Sequence, residues 1–466
     1  MNITARVRFA AAPDAAGTGG PVLARSLGAG RQFYVTDVVA WLRTNGYAFP
    51  NDASSKLGTL FVSFDGVSDP NFVYAGSRVS TANPNTSVGG SFGLYTNAVR
   101  SGTSSSGEAW VYGLRESAAY RSNLAVVHAP AAASSLQSGS GPIEIEIDVV
   151  SGDTGFTVGS PIRRTLQPGE FFQVNGILAT AGVTNGYARV RRVSGTDGFI
   201  AYGVVNDGGT SAGTSDGSFL PSGGSEGLVP IVLDLPGATH YQTDLSLTNP
   251  GTSQTNVSLG YIPSKAIAGA TGGGTVTISL GAGRQLLIPN AIAYLRSLGL
   301  PIPDDGSKQG GALVVQGAIA IARTFNPNPD STVGGTFGVA YPAVGPSSRA
   351  VREAFVYGLR QDADVRSNLA IVDARFGLSS PLDYTVDVYD ADTGSAKPAG
   401  TRIVPLTGGD WIQLDSILAA YGVAHGYVRV RPATETSDFV VYGVVNDGPV
   451  PGSRTSDGSY LPMVVP

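Results

Sequence analysis

The chain has 466 residues, 14% of them charged, with a net charge of −5, 64 glycines and no cysteine. Without cysteine neither a disulfide framework nor a thiolate metal site can form. The slight acidity, with no basic cluster, argues against nucleic acid and against anionic membranes as partners. No apolar run reaches membrane-helix length, the closest (Ala312 to Ala322) being interrupted by Gln316 and Gly317. Met1-Asn2-Ile3-Thr4 lacks the basic-then-apolar pattern of an export signal. Abundant Gly, Ser, Thr and β-branched residues with almost no helical periodicity predict an all-β protein rich in turns.

In chain order, Ile3-Thr4-Ala5-Arg6-Val7-Arg8-Phe9 aligns with a later segment beginning at Val257. Asp37 then precedes a short apolar helix stopped by Gly46, and the device returns at Asn175 to Gly182, Asn290 to Gly299 and Asp415 to Gly422. An Asp or Asn side chain can accept from the free N–H groups of a first helical turn, and glycine can take the left-handed conformation that ends it. The cap-to-glycine step is nine residues for Asp37 and Asn290 but seven for Asn175 and Asp415. That difference predicts repeated units in an A-B-A-B arrangement.

Longer matches support the register. Val111-Tyr112-Gly113-Leu114-Arg115 recurs at Val356 to Arg360, and Arg121-Ser122-Asn123-Leu124-Ala125 at Arg366 to Ala370. Tyr202-Gly203-Val204-Val205-Asn206-Asp207-Gly208 recurs at Tyr442 to Gly448, and Leu27-Gly28-Ala29-Gly30-Arg31-Gln32 at Leu280 to Gln285. The units expected are 1–105, 106–226, 227–347 and 348–466. Each reads as seven or so short strands forming an immunoglobulin-like or jelly-roll-like β-sandwich, with the helix closing one end. The alternation Ile143-Glu144-Ile145-Glu146-Ile147-Asp148 marks a half-buried strand, and its acids should face Arg189 and Arg191 in a cross-strand ladder.

The first unit lacks the segment matching residues 228–249, so two strands are expected to be missing from it. Met463-Val464-Val465-Pro466 resembles the start of another unit. The pattern is expected of a piece of a longer array, or of a chain whose missing strands come from a neighbour. On the second view Ile3, Ala5, Val7 and Phe9 would line an edge available for assembly.

Chemistry-bearing motifs are sparse. Gly223-Gly224-Ser225-Glu226-Gly227 has nucleophile-elbow spacing but lies in a joint between units, without the strand–turn–helix setting the motif needs. His128, His240 and His425 fall at unmatched places and read as surface or turn positions. The turns at Asp153 and at Asp390 and Asp392 lack the closing acid of a calcium loop. No catalytic residue, metal or cofactor is predicted. Asn206, Asp207, Asn446 and Asp447 are candidates for ligand loops, although turn chemistry alone accounts for their repetition.

The units, with Arg-Ser-Asn-Leu-Ala, the Gly-x-x-x-Gln segment and Tyr-Gly-Val-Val-Asn-Asp-Gly, resemble tandem β-sandwich repeats of uncharacterised secreted bacterial proteins. The resemblance implies an extracellular or cell-surface setting. The function expected is that of a non-enzymatic structural protein, a self-associating subunit of a surface filament or layer. The alternative is an adhesin binding surface glycans or protein through loops at the sandwich ends.

Overall fold

The computed structural model describes every residue except 1, 13–19, 53, 84, 101, 131–140, 209–215, 238, 329–333, 435, 451–452 and 456. The chain is all-β, with antiparallel ladders throughout. The first unit holds β1 (Ile3–Ala11), β2 (Leu23–Leu27), helix α1 (Val38–Thr44), β3 (Gly58–Asp65), β4 (Gly76–Ala82) and β5 (Ser91–Asn97). The second holds β6 (Glu108–Arg115), β7 (Tyr120–Ala129), β8 (Ile143–Ser151), β9 (Thr157–Leu166), β10 (Phe171–Val174), α2 (Ile177–Thr180), β11 (Asn185–Ser194), β12 (Gly198–Asp207) and β13 (Gly217–Pro221). The third holds β14 (Gly227–Leu235), β15 (Tyr241–Thr248), β16 (Thr255–Pro263), β17 (Gly274–Leu280), β18 (Gln285–Ile288), α3 (Ala291–Ser297), β19 (Gln309–Gln316), β20 (Ile319–Pro327) and β21 (Thr336–Pro342). The fourth holds β22 (Ala354–Arg360), β23 (Val365–Asp373), β24 (Leu382–Asp390), β25 (Gly400–Leu406), β26 (Trp411–Leu414), β27 (His425–Pro432), β28 (Phe439–Asp447) and β29 (Gly458–Pro462).

The second unit is a sandwich of two four-stranded sheets, β6-β11-β8-β9 and β10-β7-β12-β13, and the fourth repeats that order as β22-β27-β24-β25 and β26-β23-β28-β29. The third has the same two runs, β17-β16-β19-β14 and β18-β15-β20-β21, joined where the ends of β14 and β15 pair. Each of these three sandwiches has eight strands, one more than the spacing suggested, because a short strand separates the fourth strand from the helix. In the first unit only β2-β1-β3 and the hairpin β4-β5 form among the described residues.

Alternation places the apolar face of β8 in the core as expected, but its other face is not solvent-exposed, Glu146 and Asp148 each being 4% exposed under the arginines they pair with. Ile143, Ile145 and Ile147 are at most 1% exposed, while Asp148 pairs with Arg189 at 2.7 Å and Glu146 with Arg163 and Arg191. The same ladder returns in the fourth unit as Arg431 to Asp387 at 2.6 Å. The four glycine stops hold, with Gly46, Gly182, Gly299 and Gly422 all at positive φ.

The caps hold only in part. Asp37 accepts from the Ala40 N–H and Asn290 from the Ala293 N–H, each opening a seven-residue helix. Asn175 and Asp415 cap nothing. Their side chains accept instead from Gln173 and Gln413, and the next residue, Gly176 or Ser416, turns left-handed with φ of 58° or 47°. The N–H of that residue is taken by Asn123 or Asn368, the asparagine of the Arg-Ser-Asn motif. The chain then forms a four-residue helix in the second unit and only a 3-10 turn, Ala419–Tyr421, in the fourth. The element around Asp415 is thus set by a neighbouring strand, not by its own side chain.

The units pack in a closed ring. β5 touches β13 and β29, and β21 touches the same two strands, so the last strands of all four units surround a common axis. A cavity of 330 Å³ lies among them, lined by Leu94, Phe219, Val339, Tyr460 and Met463 together with their neighbours.

Candidate functional site

Most of the residues singled out in the sequence hold units together. Asn206, Asp207, Asn446 and Asp447 are buried, at 8%, 2%, 9% and 3% exposure, and so are not ligand loops. They end β12 and β28 where a neighbouring unit arrives. Asp447 accepts from the Ser91 N–H at 3.0 Å and from the Thr455 hydroxyl at 2.7 Å, while Asp207 accepts from the Thr336 hydroxyl at 3.3 Å. Desolvated carboxylates need such donors, which the starts of β5 and β21 supply. Arg121 and Arg366 close the same corner, donating to the Gly208 and Gly448 carbonyls. Ser225 of the elbow-like motif donates to the Ala343 carbonyl. His240 and His425 pair with Asp234 and Asp392, but His128 is fully buried beside Asp197, contrary to the surface reading.

The Gly-x-x-x-Gln segment proves to be an inter-unit hook. Gln285 of the third unit is 4% exposed and lies against the second. Its carbonyl accepts from the Gly113 N–H and the Thr248 hydroxyl, and its amide donates to the carbonyls of Leu114 and Gly186 and to Asn185. Gly113 sits at φ 79° beside an irregularity in the β6–β11 ladder, which frees the N–H that Gln285 takes. Gln32 repeats the hook from the first unit to the fourth, donating through its backbone to Ala391 and through its side chain to Gly426 at 3.2 Å. Its identity with Gln285 within a repeated motif was the only sequence signal of this role.

A second group meets on the ring axis. Arg323 of β20 donates to Ser218 and Thr336 and lies 3.7 Å from Asp216; Arg78 of β4 donates to Ser459 and Ser91 and lies 3.6 Å from Asp457. Asp216 and Asp457 are at most 1% exposed and lie within hydrogen-bond reach of each other. Burial, with Asp207 adding to it, pushes Asp216 up to about 6 against the pull of Arg323 and of a hydrogen bond from Asp457, while burial and the Asp216 carboxyl push Asp457 well above the carboxylate range, so the two share a proton. The sequence signal of this pair is the near-identity of Asp216-Gly217-Ser218-Phe219-Leu220-Pro221 with Asp457-Gly458-Ser459-Tyr460-Leu461-Pro462.

The first unit is where pairing stops. In the third, β14 lies between β19 and β15, and β15 pairs with β18 and β20. The first unit has no counterpart of β14 or β15 among the described residues, so β3 and β4 each present an unpaired edge. Residues 32–35, in the place of β18, form no strand although Gln32 keeps its hook. Val79 stands where the third unit has Thr324; Thr324 is 9% exposed and bonded to Thr243 of β15, whereas Val79 is 67% exposed. Val99 stands where Val344 bridges to Leu228, and is 46% exposed. The open edges are therefore on β3 and β4, not on β1. Ile3, Ala5, Val7 and Phe9 lie in the middle strand of β2-β1-β3, and Ala5 and Phe9 are buried.

No group of His, Asp or Glu suited to a metal occurs among the described residues, and no described helix is long and apolar enough to cross a membrane. No protein-family model, curated protein or solved structure matches the chain.

Proposed function

We propose that this is a non-enzymatic structural protein of an extracellular or cell-surface setting, a filament or surface-layer subunit that assembles by strand addition to its first sandwich. The observation that carries the reading is the pair of open edges on β3 and β4, with Val79 67% exposed on one of them. An unpaired row of backbone N–H and C=O groups beside exposed apolar side chains favours pairing with another strand, and natural proteins normally blunt such edges. The low charge of 14%, with abundant Gly, Ser, Thr and Asn, supports the setting. The adhesin alternative, with surface glycans as partner, rested on Asn206, Asp207, Asn446 and Asp447, which are buried, the aspartates bonded across joints between units and the asparagines to the Val204 and Val444 carbonyls of their own strands.

The test is assembly against concentration, followed by light scattering and negative-stain electron microscopy. Ordered particles larger than one chain should grow with concentration, and Val79→Lys, which places a charge on the β4 edge, should suppress them while circular dichroism stays unchanged. Particles of single-chain size at every concentration would overturn the reading.

A further inference from the structure

The two axial acids belong to units that stand across the ring from each other. Asp216 leads into β13 of the second unit and Asp457 into β29 of the fourth, and they are 0% and 1% exposed. Each is held by a strand of a neighbouring unit. Oδ2 of Asp216 accepts from the Gly338 N–H of β21 at 3.0 Å, and Oδ2 of Asp457 accepts from the Gly93 N–H of β5 at 2.8 Å. The other oxygen of each, Oδ1, has no hydrogen-bond partner among the described residues. A buried carboxylate oxygen without a donor is costly, and a proton held between the two carboxyls supplies one.

Arg323 of β20 and Arg78 of β4 stand 3.7 and 3.6 Å from Asp216 and Asp457. Asp207, at the end of β12, and Asp447, at the end of β28, lie behind them, their N–H groups donating to the carbonyls of Asp216 and Asp457 at 2.7 Å. Arg121 and Arg366 are turned to the Gly208 and Gly448 carbonyls. β5, β13, β21 and β29 carry no Asp, Glu, Lys, Arg or His. Four carboxyls thus meet two guanidiniums on the axis, and the proton removes one of the surplus charges. The closure is tight. A Cβ on Gly458 would lie 2.5 Å from Val339, and one on Gly217 3.0 Å from Leu94. Away from the axis, the second and fourth sandwiches have cores of their own.

We infer that Asp216 and Asp457 form a proton-operated latch on the ring axis: with one proton held between them the last strands of the four units close together, and its release parts the second and fourth units at the axis while each sandwich stays folded. Without the proton two adjacent carboxylates face each other away from water, and their repulsion is relieved by drawing apart and admitting solvent. Surfaces packed this closely separate as a step between two arrangements and do not stretch gradually. In the open arrangement an exposed aspartate titrates near 3.9, whereas closure raises Asp216 to about 6 and Asp457 further. The closed axis therefore binds more protons. Closure is firmest in acid and weakens as pH rises through about 6. The latch needs no second chain and stands apart from the assembly reading.

The test is amide hydrogen exchange of the full chain, read by mass spectrometry and corrected for the intrinsic pH dependence of exchange. It compares β5, β13, β21 and β29 with β8 and β24, which lie inside the second and fourth sandwiches. The axial strands should exchange in step with one another, and their protection should fall about tenfold or more between pH 5 and pH 7. β8 and β24 should stay about a hundredfold better protected at both pH values, because opening the axis leaves them folded. Asp457→Asn, whose side-chain amide donates to Asp216 at every pH, should hold axial protection constant from pH 5 to pH 8, and Asp216→Asn should do the same from the other side. Should one variant fail to fold, the other and the profile of the unaltered chain still decide. Axial protection that is the same at pH 5 and pH 7 would overturn the latch. So would axial strands as well protected as β8 and β24, since the acids would then be exposed only by unfolding. A pH dependence that survives both asparagine variants would assign the proton to other groups and overturn it too.

Discussion

The first and third sandwiches share a capped seven-residue helix, a Gly-x-x-x-Gln hook and an axial arginine, yet they are consolidated to different degrees. In the third, Leu313 and Val315 of β19 are fully buried; in the first, Val62 and Phe64 at the matching places of β3 are only half-buried. The described core of the first unit is centred on Phe9, Leu42, Tyr47 and Phe49 around α1, whereas that of the third extends across both sheets. The same local sequence therefore gives the same local structure in both, while two strands decide whether the surrounding surface becomes interior. Helix caps and glycine turns depend on a few neighbours in sequence. Burial depends on partners far along the chain, and it responds to their loss over the whole face.

The largest effect expected from this comparison is at the buried ion pair. Asp244→Ala should cost about 3–5 kcal/mol in denaturant unfolding, because it strands the Arg115 guanidinium. Arg360→Ala should cost about 1 kcal/mol or less, its partner Asp362 being part-exposed. Equal losses would show that the first unit is already complete in solution. Next comes the hook. Gln285→Ala leaves the Gly113 N–H and the Leu114 and Gly186 carbonyls without partners, for a loss of about 3 kcal/mol, against about 1 kcal/mol for Gln32→Ala with its single side-chain bond.

The axial acids give a pH effect shared by the two halves of the ring. An unfolded aspartate titrates near 3.9, and in the fold Asp216 is raised to about 6 with Asp457 higher still. The folded chain therefore binds more protons across that window. Stability should be greatest below about 4 as far as this pair is concerned, and should fall as pH rises through about 6 and above. Asp457→Asn should flatten that dependence in thermal melts from pH 5 to 8. An unchanged slope would show that the two carboxyls do not share a proton. The smallest effect separates Val79 from Thr324. Thr324→Val loses the hydrogen bond to Thr243 and should cost about 1 kcal/mol, while Val79→Thr should lie within about 0.5 kcal/mol of zero.

Much of the architecture was legible in the sequence because it rests on short-range chemistry. The alternation around Ile145, the Arg–acid ladder and the glycine stops all appear where the pattern placed them. The errors arose where a side chain had two possible uses. Asp415 and Asn175 have the chemistry of caps, but Asn368 and Asn123 supply the needed acceptor from another strand. Asn206, Asp207, Asn446 and Asp447 have the composition of exposed turns, yet all four are buried, with Asp207 and Asp447 bonded to a neighbouring unit and Asn206 and Asn446 to their own strands. Ile3, Ala5, Val7 and Phe9 belong to the strand nearest the gap in sequence, but sheet order sets β3 and β4 beside it. The axial pair was missed because its members are far apart in the chain and only ring closure brings them together.

By itself the sequence determined the all-β character, the alternation that fills the cores and the glycine turns. Each comes from periodicity, from internal matches or from backbone preferences acting over a few residues. Only the tertiary structure decided that the units close on one axis, that Gln32 joins the first unit to the fourth, and that the open edges belong to β3 and β4. Those are long-range pairings, and their stability comes from excluding water between surfaces that no local pattern identifies as facing each other.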